Sequence, residues 1–162
     1  MCLRRIAERM ETSGVPTMQS MEEVVYVSRA VEAQTPAMLR RIVDTARMLN
    51  RRRDLTGALA FSGSHFLQVL EGDGAALDAL LASLRRDPRH DGLRLIGRTP
   101  IAVRRFGDWA MALVSGPELG ARIEGLAGGA VEASGQLAEV VASLARHAQR
   151  RNDGATSRYT PF

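Results

Sequence analysis

The sequence predicts an α+β fold whose elements run β-α-β-β-α-β-β, followed by a helical C-terminal segment. Three observations point to it. Short runs rich in Val, Tyr, Phe and Leu recur between turn residues, as strands do. Two longer stretches carry apolar residues at the 3.6-residue spacing of helices. The chain, 162 residues with 45% hydrophobic content, can also bury one real core.

The elements follow in order. Residues 1–20 are expected to form an N-terminal extension, broken by Gly14 and Pro16, and Met21 is an alternative start. Glu22 to Ser28 reads as the first strand. Thr35-Pro36 supplies a capping hydroxyl and a Pro at the first helical position, and Leu39, Ile42, Val43, Ala46 and Leu49 continue the helical rhythm. Leu55 to Phe61 and His65 to Leu70 form a hairpin through Ser62-Gly63-Ser64. Leu77, Leu80, Leu81 and Leu84 mark a second helix, closed by Asp87-Pro88. Strands at Arg94 to Gly97 and Trp109 to Val114 flank a loop around Pro100.

This is the ferredoxin-like order plus one strand, with the first and third strands adjacent and both helices on one sheet face. The core domain is therefore expected over residues 21–115. Residues 116–150, with Gly116, Pro117 and Gly128-Gly129, then a helix from Gln136 to about Arg150, are expected to cap the other face. Leu137, Val140, Val141, Leu144 and Ala145 line one side of that helix. Residues 151–162 read as a polar, frayed tail.

Composition excludes several classes. No run has the length of a membrane span, and residues 1–20 lack the apolar segment of a secretory signal. The lone Cys2 has no internal partner, so a cytoplasmic chain without membrane contact is expected. All 22 basic residues are Arg. Their late titration lifts the pI to about 10.4, although the net charge is only +4. Arg51-Arg52-Arg53 runs straight into Asp54, and aromatics are 4% of the chain. A solvated surface, not a nucleic-acid footprint, accounts for this pattern. No catalytic residue and no metal site is assigned.

The most informative residue is Gln68, inside Phe66-Leu67-Gln68-Val69-Leu70-Glu71-Gly72. An amide buried there without partners costs roughly 1–3 kcal/mol, so something polar must lie within its reach. Tyr26 on the neighbouring strand can share its face. Asn50 lies four residues after Ala46 and seven after Val43, on the buried side of the first helix. Each residue also has a plain reading. A buried Tyr usually meets a backbone carbonyl, an Asn at a helix end is usually a cap, and Gln68 could pair with backbone. Trp109 and Met111, at i and i+2, fit ordinary core positions on one strand face.

The strings in combination are more specific. Tyr26-Val27-Ser28-Arg29-Ala30, Asn50 before Leu55-Thr56-Gly57-Ala58-Leu59, the Gln68 segment, Asp87-Pro88-Arg89-His90, and Ile101 to Phe106 leading into Asp108-Trp109-Ala110-Met111 occur in this order. Together they closely resemble the BLUF family of flavin-binding blue-light sensors, over about residues 21–115.

That resemblance implies a ferredoxin-like fold holding FAD between the two helices. Tyr26 then acts as photochemical electron and proton donor, and Gln68 bridges Tyr26 and the flavin N5/C4=O edge. Asn50 meets the pyrimidine edge, Arg89 and His90 lie on the polar side of the flavin, and Trp109 and Met111 relay the signal. Departures are Asp54 where many members have Gly, the small Ala60, and the apolar Leu49. The resemblance further implies a sensor without catalytic turnover. The stretch after the core is too short for an effector domain, so output is expected through a separate protein partner, with self-association. The alternative is a ferredoxin-like regulatory module that binds no flavin. A flavin redox enzyme and a nucleic-acid-binding regulator are weaker readings, since Gln68 and Met111 crowd the N5 edge and no reading helix is evident.

Overall fold

A computed structural model describes residues 20–107, 109–129 and 134–156. The expected N-terminal extension up to residue 19, Asp108, and the tail from residue 157 lie outside the described residues. Strand β1 spans Met21–Ala30, helix α1 Pro36–Arg52, β2 Thr56–Phe61 and β3 His65–Asp73. Helix α2 spans Gly74–Leu84, β4 His90–Pro100, β5 Ala112–Val114, α3 Pro117–Ala127 and α4 Ser134–Thr156.

Local chemistry sets the helix starts. The Thr35 hydroxyl accepts the Met38 N–H at 3.2 Å, with Pro36 at the first position. Asp73 accepts from the N–H groups of Ala75 and Ala76 at 3.0 and 3.2 Å and so opens α2. Such caps satisfy N–H groups that have no partner within the helix.

The sheet order is β4-β1-β3-β2-β5. The first and third strands are central and antiparallel, as the ferredoxin-like order requires, and β5 adds to β2 in parallel. Period-2 alternation makes both sheet faces apolar. Val24, Tyr26, Phe66 and Leu70 pack against Val43 of α1 and Leu77, Leu80 and Leu81 of α2. Val25, Val27, Leu67 and Val69 pack against Leu119, Ile123 and Leu126 of α3 and Val140, Val141 and Leu144 of α4. Tyr26 stands directly opposite Gln68 in the β1–β3 register.

Several element boundaries differ from the sequence expectation, and one helix within the expected C-terminal cap had not been placed. The strand expected at Trp109 to Val114 is only Ala112–Val114. Residues before it are held by bonds to other elements: Gly57 N–H donates to Trp109 O at 3.0 Å. Strand β4 is longer than expected, pairing with β1 from His90 to Pro100 with two register shifts. Helix α3 is an element that Gly116, Gly120, Gly125 and the Gly128-Gly129 pair obscured. Asp54, in place of Gly, sits in the turn before β2 with a φ of 51°, a region Asp tolerates better than most residues. Arg104 donates to its carbonyl and to its carboxylate, each at 2.8 Å.

Candidate cofactor-binding site

Helices α1 and α2 do not close fully over the sheet. Between them lies a cleft of about 670 Å³, part of it open to solvent. Its apolar walls come from Ile42, Ala46 and Leu49 of α1, Leu80 and Leu84 of α2, and Leu59 and Phe66 of the sheet. Its polar groups are Tyr26, Ser28, Thr45, Asn50, Gln68, Asp87, Arg89 and His90. A mostly apolar cavity with a few converging polar groups is the usual form of a small-molecule site.

Gln68 finds its partners in side chains, not in backbone. The Tyr26 hydroxyl donates to Gln68 Oε1. Gln68 Nε2 faces Met111 Sδ at 3.5 Å. Tyr26, Gln68 and Met111 are all buried, so this chain of contacts is shielded from water. Burial, and then the charge of Asp87, pushes the Tyr26 phenol well above its ordinary pKa. It therefore stays protonated near neutral pH and must donate.

Helix α1 grips the segment that carries Met111. Asn50 Nδ2 donates to Ala110 O at 2.8 Å, and Arg47 Nε donates to Met111 O at 2.8 Å. The plain reading of Asn50 as a cap holds only in part. Its backbone carbonyl does receive the N–H groups of Arg53 and Leu55, while its side chain turns to Ala110.

The cleft's far end carries the remaining expected residues. Arg89 Nε lies 2.9 Å from Asp87 Oδ1, and these bonds hold the Asp87 pKa down at about 2. His90 stacks edge-on against Phe66 at 6.3 Å. Burial lowers its pKa, against an opposing pull from Asp87. Two buried polar atoms along this cleft have no protein partner: His90 Nδ1 and Ser28 Oγ. Such atoms are rare in folded proteins and call for a polar ligand or water.

Of the expected residues, Tyr26, Gln68, Asn50, Arg89 and His90 line one cleft, and Met111 touches Gln68. Trp109 does not join them. It packs against the α3/α4 side of the sheet, while Met111 packs on the α1/α2 side. The expectation that both share one face fails because residue 109 precedes β5 and lacks strand alternation. Sequence reasoning missed Ser28 and Arg47. Ser28 carried a signal, since it sits two residues from Tyr26 on the same strand face. An Arg on a helix surface carries none.

Residues 21–112 match the profile of the BLUF family, described as sensors of blue-light using FAD. The chain is 31% identical over 102 residues to the photoactivated adenylate cyclase subunit beta of Euglena gracilis, covering 62% of this chain but 12% of that protein. It is 31% identical over 90 residues to the blue light- and temperature-regulated antirepressor BluF of Escherichia coli (strain K12), covering 56% of this chain and 22% of that protein. The chain thus spans less than a quarter of the length of either relative. Among solved structures, the dark state of the BLUF protein BlrB aligns with a TM-score of 0.68 at 33% identity, covering 80% of this chain and 98% of that one. Klebsiella pneumoniae BlrP1, solved with FMN and cyclic diGMP, aligns with a TM-score of 0.55 at 33% identity, covering 59% of this chain and 26% of that one. With a family profile matched over more than half its length and a cleft built around Tyr26 and Gln68, the chain belongs to the BLUF family of blue-light sensors.

Proposed function

We propose that this chain is a blue-light receptor that holds FAD in the α1/α2 cleft and signals to a separate protein partner. The observation that carries this reading is the buried Tyr26–Gln68–Met111 contact chain at the floor of that cleft. The cleft fits a flavin: it is apolar on its broad walls, and Ser28 Oγ and His90 Nδ1 lack protein partners. A bound flavin supplies the absorption of blue light and a ring that can take up an electron and a proton.

The protein's own part follows from its hydrogen bonds. Tyr26 is the proposed donor, because burial keeps its phenolic proton in place. Gln68 Oε1 accepts that proton's hydrogen bond, so loss of the proton removes the reason for the amide's present orientation. Rotation or tautomerisation of the amide exchanges donor for acceptor toward Tyr26. The bond given up by Nε2 is the weak one to Met111 Sδ, since a thioether is a poor acceptor. Two discrete arrangements result, and light shifts the balance between them. Asn50, Arg89 and His90 are the proposed contacts to the ring's pyrimidine edge and polar side.

Output is proposed to cross the sheet. Met111 senses Gln68 on one face, and Trp109, two residues earlier, packs against the α3/α4 cluster on the other. Helices α3 and α4 are then the surface that presents the signal. Self-association through these helices or the free edge of β4 belongs to the same proposal, as does a cytoplasmic location. No described helix is long and apolar enough to cross a membrane.

The test is a visible absorption spectrum of the purified protein in darkness and then under blue light. A flavin spectrum with a small, reversible red shift is expected. Flavin without a shift contradicts the switching role, and protein unable to take up FAD returns the chain to the flavin-free module.

A further inference from the structure

Glu23 of β1 and Glu71 of β3 stand directly opposite each other in the strand register. Alternation puts both on the α3/α4 face of the sheet, with Val25 and Val69. Like charges in opposite positions are unfavourable, and both residues are buried, at 8% and 0% exposure. The two carboxyls are held very differently. Glu71 accepts with both oxygens, from the Arg105 N–H at 2.6 Å, the Phe106 N–H at 3.3 Å and Thr56 Oγ1 at 2.7 Å. Glu23 Oε2 is buried and has no hydrogen-bond partner. Arg105 Nε stands 3.2 Å from it, an ion pair without hydrogen-bond alignment, and that Arg side chain is 44% exposed. An unpartnered buried oxygen beside a second carboxylate is a place for a proton. Burial pushes the Glu23 pKa above its ordinary value of 4.5, Arg105 opposes the rise, and Glu71 adds to it.

We propose that the Glu23–Glu71 pair is a proton switch on the output segment: Glu23 takes a proton from water, releases the Arg105 side chain and loosens the stretch that carries Trp109 and Met111. The coupling rests on the reading of Met111 as the relay; the proton site itself does not. The path to the relay is short. The backbone of Arg105 and Phe106 hangs on Glu71, Phe106 is buried, and Phe106 O accepts the Trp109 N–H at 3.0 Å. Arg104 braces the same loop through Thr56 Oγ1 at 3.2 Å and Asp54 at 2.8 Å. Across the other side of β1, Glu23 faces the uncharged Thr99 of β4. With Glu23 ionised, Arg105 is tied at both its backbone and its guanidinium. With Glu23 neutral, only the backbone tie remains. The pH sets the balance between these two arrangements, so acid conditions free Met111 to exchange sooner and dark recovery quickens.

The experiment measures dark recovery of the flavin-loaded chain from about pH 8 to 5, beside urea unfolding in darkness over the same range. Wild-type recovery is expected to quicken about threefold on acidification, the worth of a partly exposed ion pair. Glu23→Gln carries a neutral side chain of the same shape, so it should recover at the fast rate throughout. Arg105→Gln should move the transition to higher pH, because it removes the charge that favours ionised Glu23. A merely structural role for Arg105 would leave that midpoint in place. Glu23 also acts on stability: its raised folded pKa gives a contribution that is full below the unfolded value of about 4.5 and lost as pH rises. The wild type should therefore fall behind Glu23→Gln in urea midpoint as pH increases. Any pH dependence from His90 is common to both chains and cancels in the comparison. Parallel unfolding profiles for the wild type and Glu23→Gln overturn the proton site, and parallel recovery profiles overturn its coupling to the switch. An unmoved midpoint in Arg105→Gln overturns the ion-pair release. Absence of any photocycle overturns the receptor reading and the coupling with it, whereas the unfolding comparison decides the proton site without light.

Discussion

Replacing Gly57 by Ala tests how tightly the sheet and the switch segment are built together. An added Cβ at residue 57 would stand 2.1 Å from Val69 O and 3.2 Å from Leu70 Cα. A carbon–oxygen contact normally needs about 3.3 Å. Strands β2 and β3 must therefore part by roughly 1 Å of their usual spacing of about 4.8 Å. Both obstructing groups are backbone, so no rotamer change relieves them. Two weakened ladder bonds at about 1 kcal/mol each, plus a gap in a full core, give a loss on the order of 3 kcal/mol. Urea unfolding of the wild type and variant measures it. Because Gly57 N–H also holds Trp109 O, the segment carrying Met111 should shift as well, and dark recovery after illumination should change. A loss below about 1 kcal/mol would refute the argument, since the sheet would then have room that the distances deny.

Further outcomes follow from the site. Tyr26→Phe should retain flavin but abolish the normal light-induced shift, and an unchanged photocycle by absorption would contradict the donor role. Arg47→Ala should alter the dark-recovery rate severalfold at little cost in flavin affinity, because it frees Met111 O. Arg47→Lys should restore part of the effect, and a rate equal to wild type in the Ala variant would remove Arg47 from the switch. Burial lowers the His90 pKa, so in the window below the unfolded value of about 6.5 the unfolded chain binds the extra proton. His90 therefore makes stability fall as pH drops through that window. Urea midpoints between about pH 7 and 5 should fall less steeply in His90→Gln, and an identical slope would contradict the assignment.

Much of this was legible in the residues because the elements are locally consistent. The strand runs alternate on a sheet buried on both faces, and α1 carries its cap and Pro at the expected place. Gln68 stood out because an amide in an apolar strand needs a partner, and the register supplies Tyr26 directly opposite. The misreadings have physical causes. Helix α3 is glycine-rich, which suggests a loop, although Leu119, Ile123 and Leu126 keep a helical spacing and are all buried. Trp109 looked like a strand residue, but its backbone is fixed by Gly57 and Phe106, so alternation does not govern its direction. Glu71 lies one residue beyond the strand end expected at Leu70. It is fully buried and accepts from Thr56 Oγ1 at 2.7 Å and from the Arg105 N–H at 2.6 Å, which anchors the loop before β5. Arg47 could not be found at all, since its partner is a backbone carbonyl 64 residues away.

The account rests on the Gln68 amide as the element that light rearranges. The most direct test is the light-minus-dark absorption spectrum of Gln68→Leu beside the wild type, at matched flavin content. The leucine fills similar space but can neither accept from Tyr26 nor exchange donor for acceptor. The account predicts bound flavin with no red shift in the variant and a reversible shift in the wild type. A normal reversible shift in Gln68→Leu would contradict it.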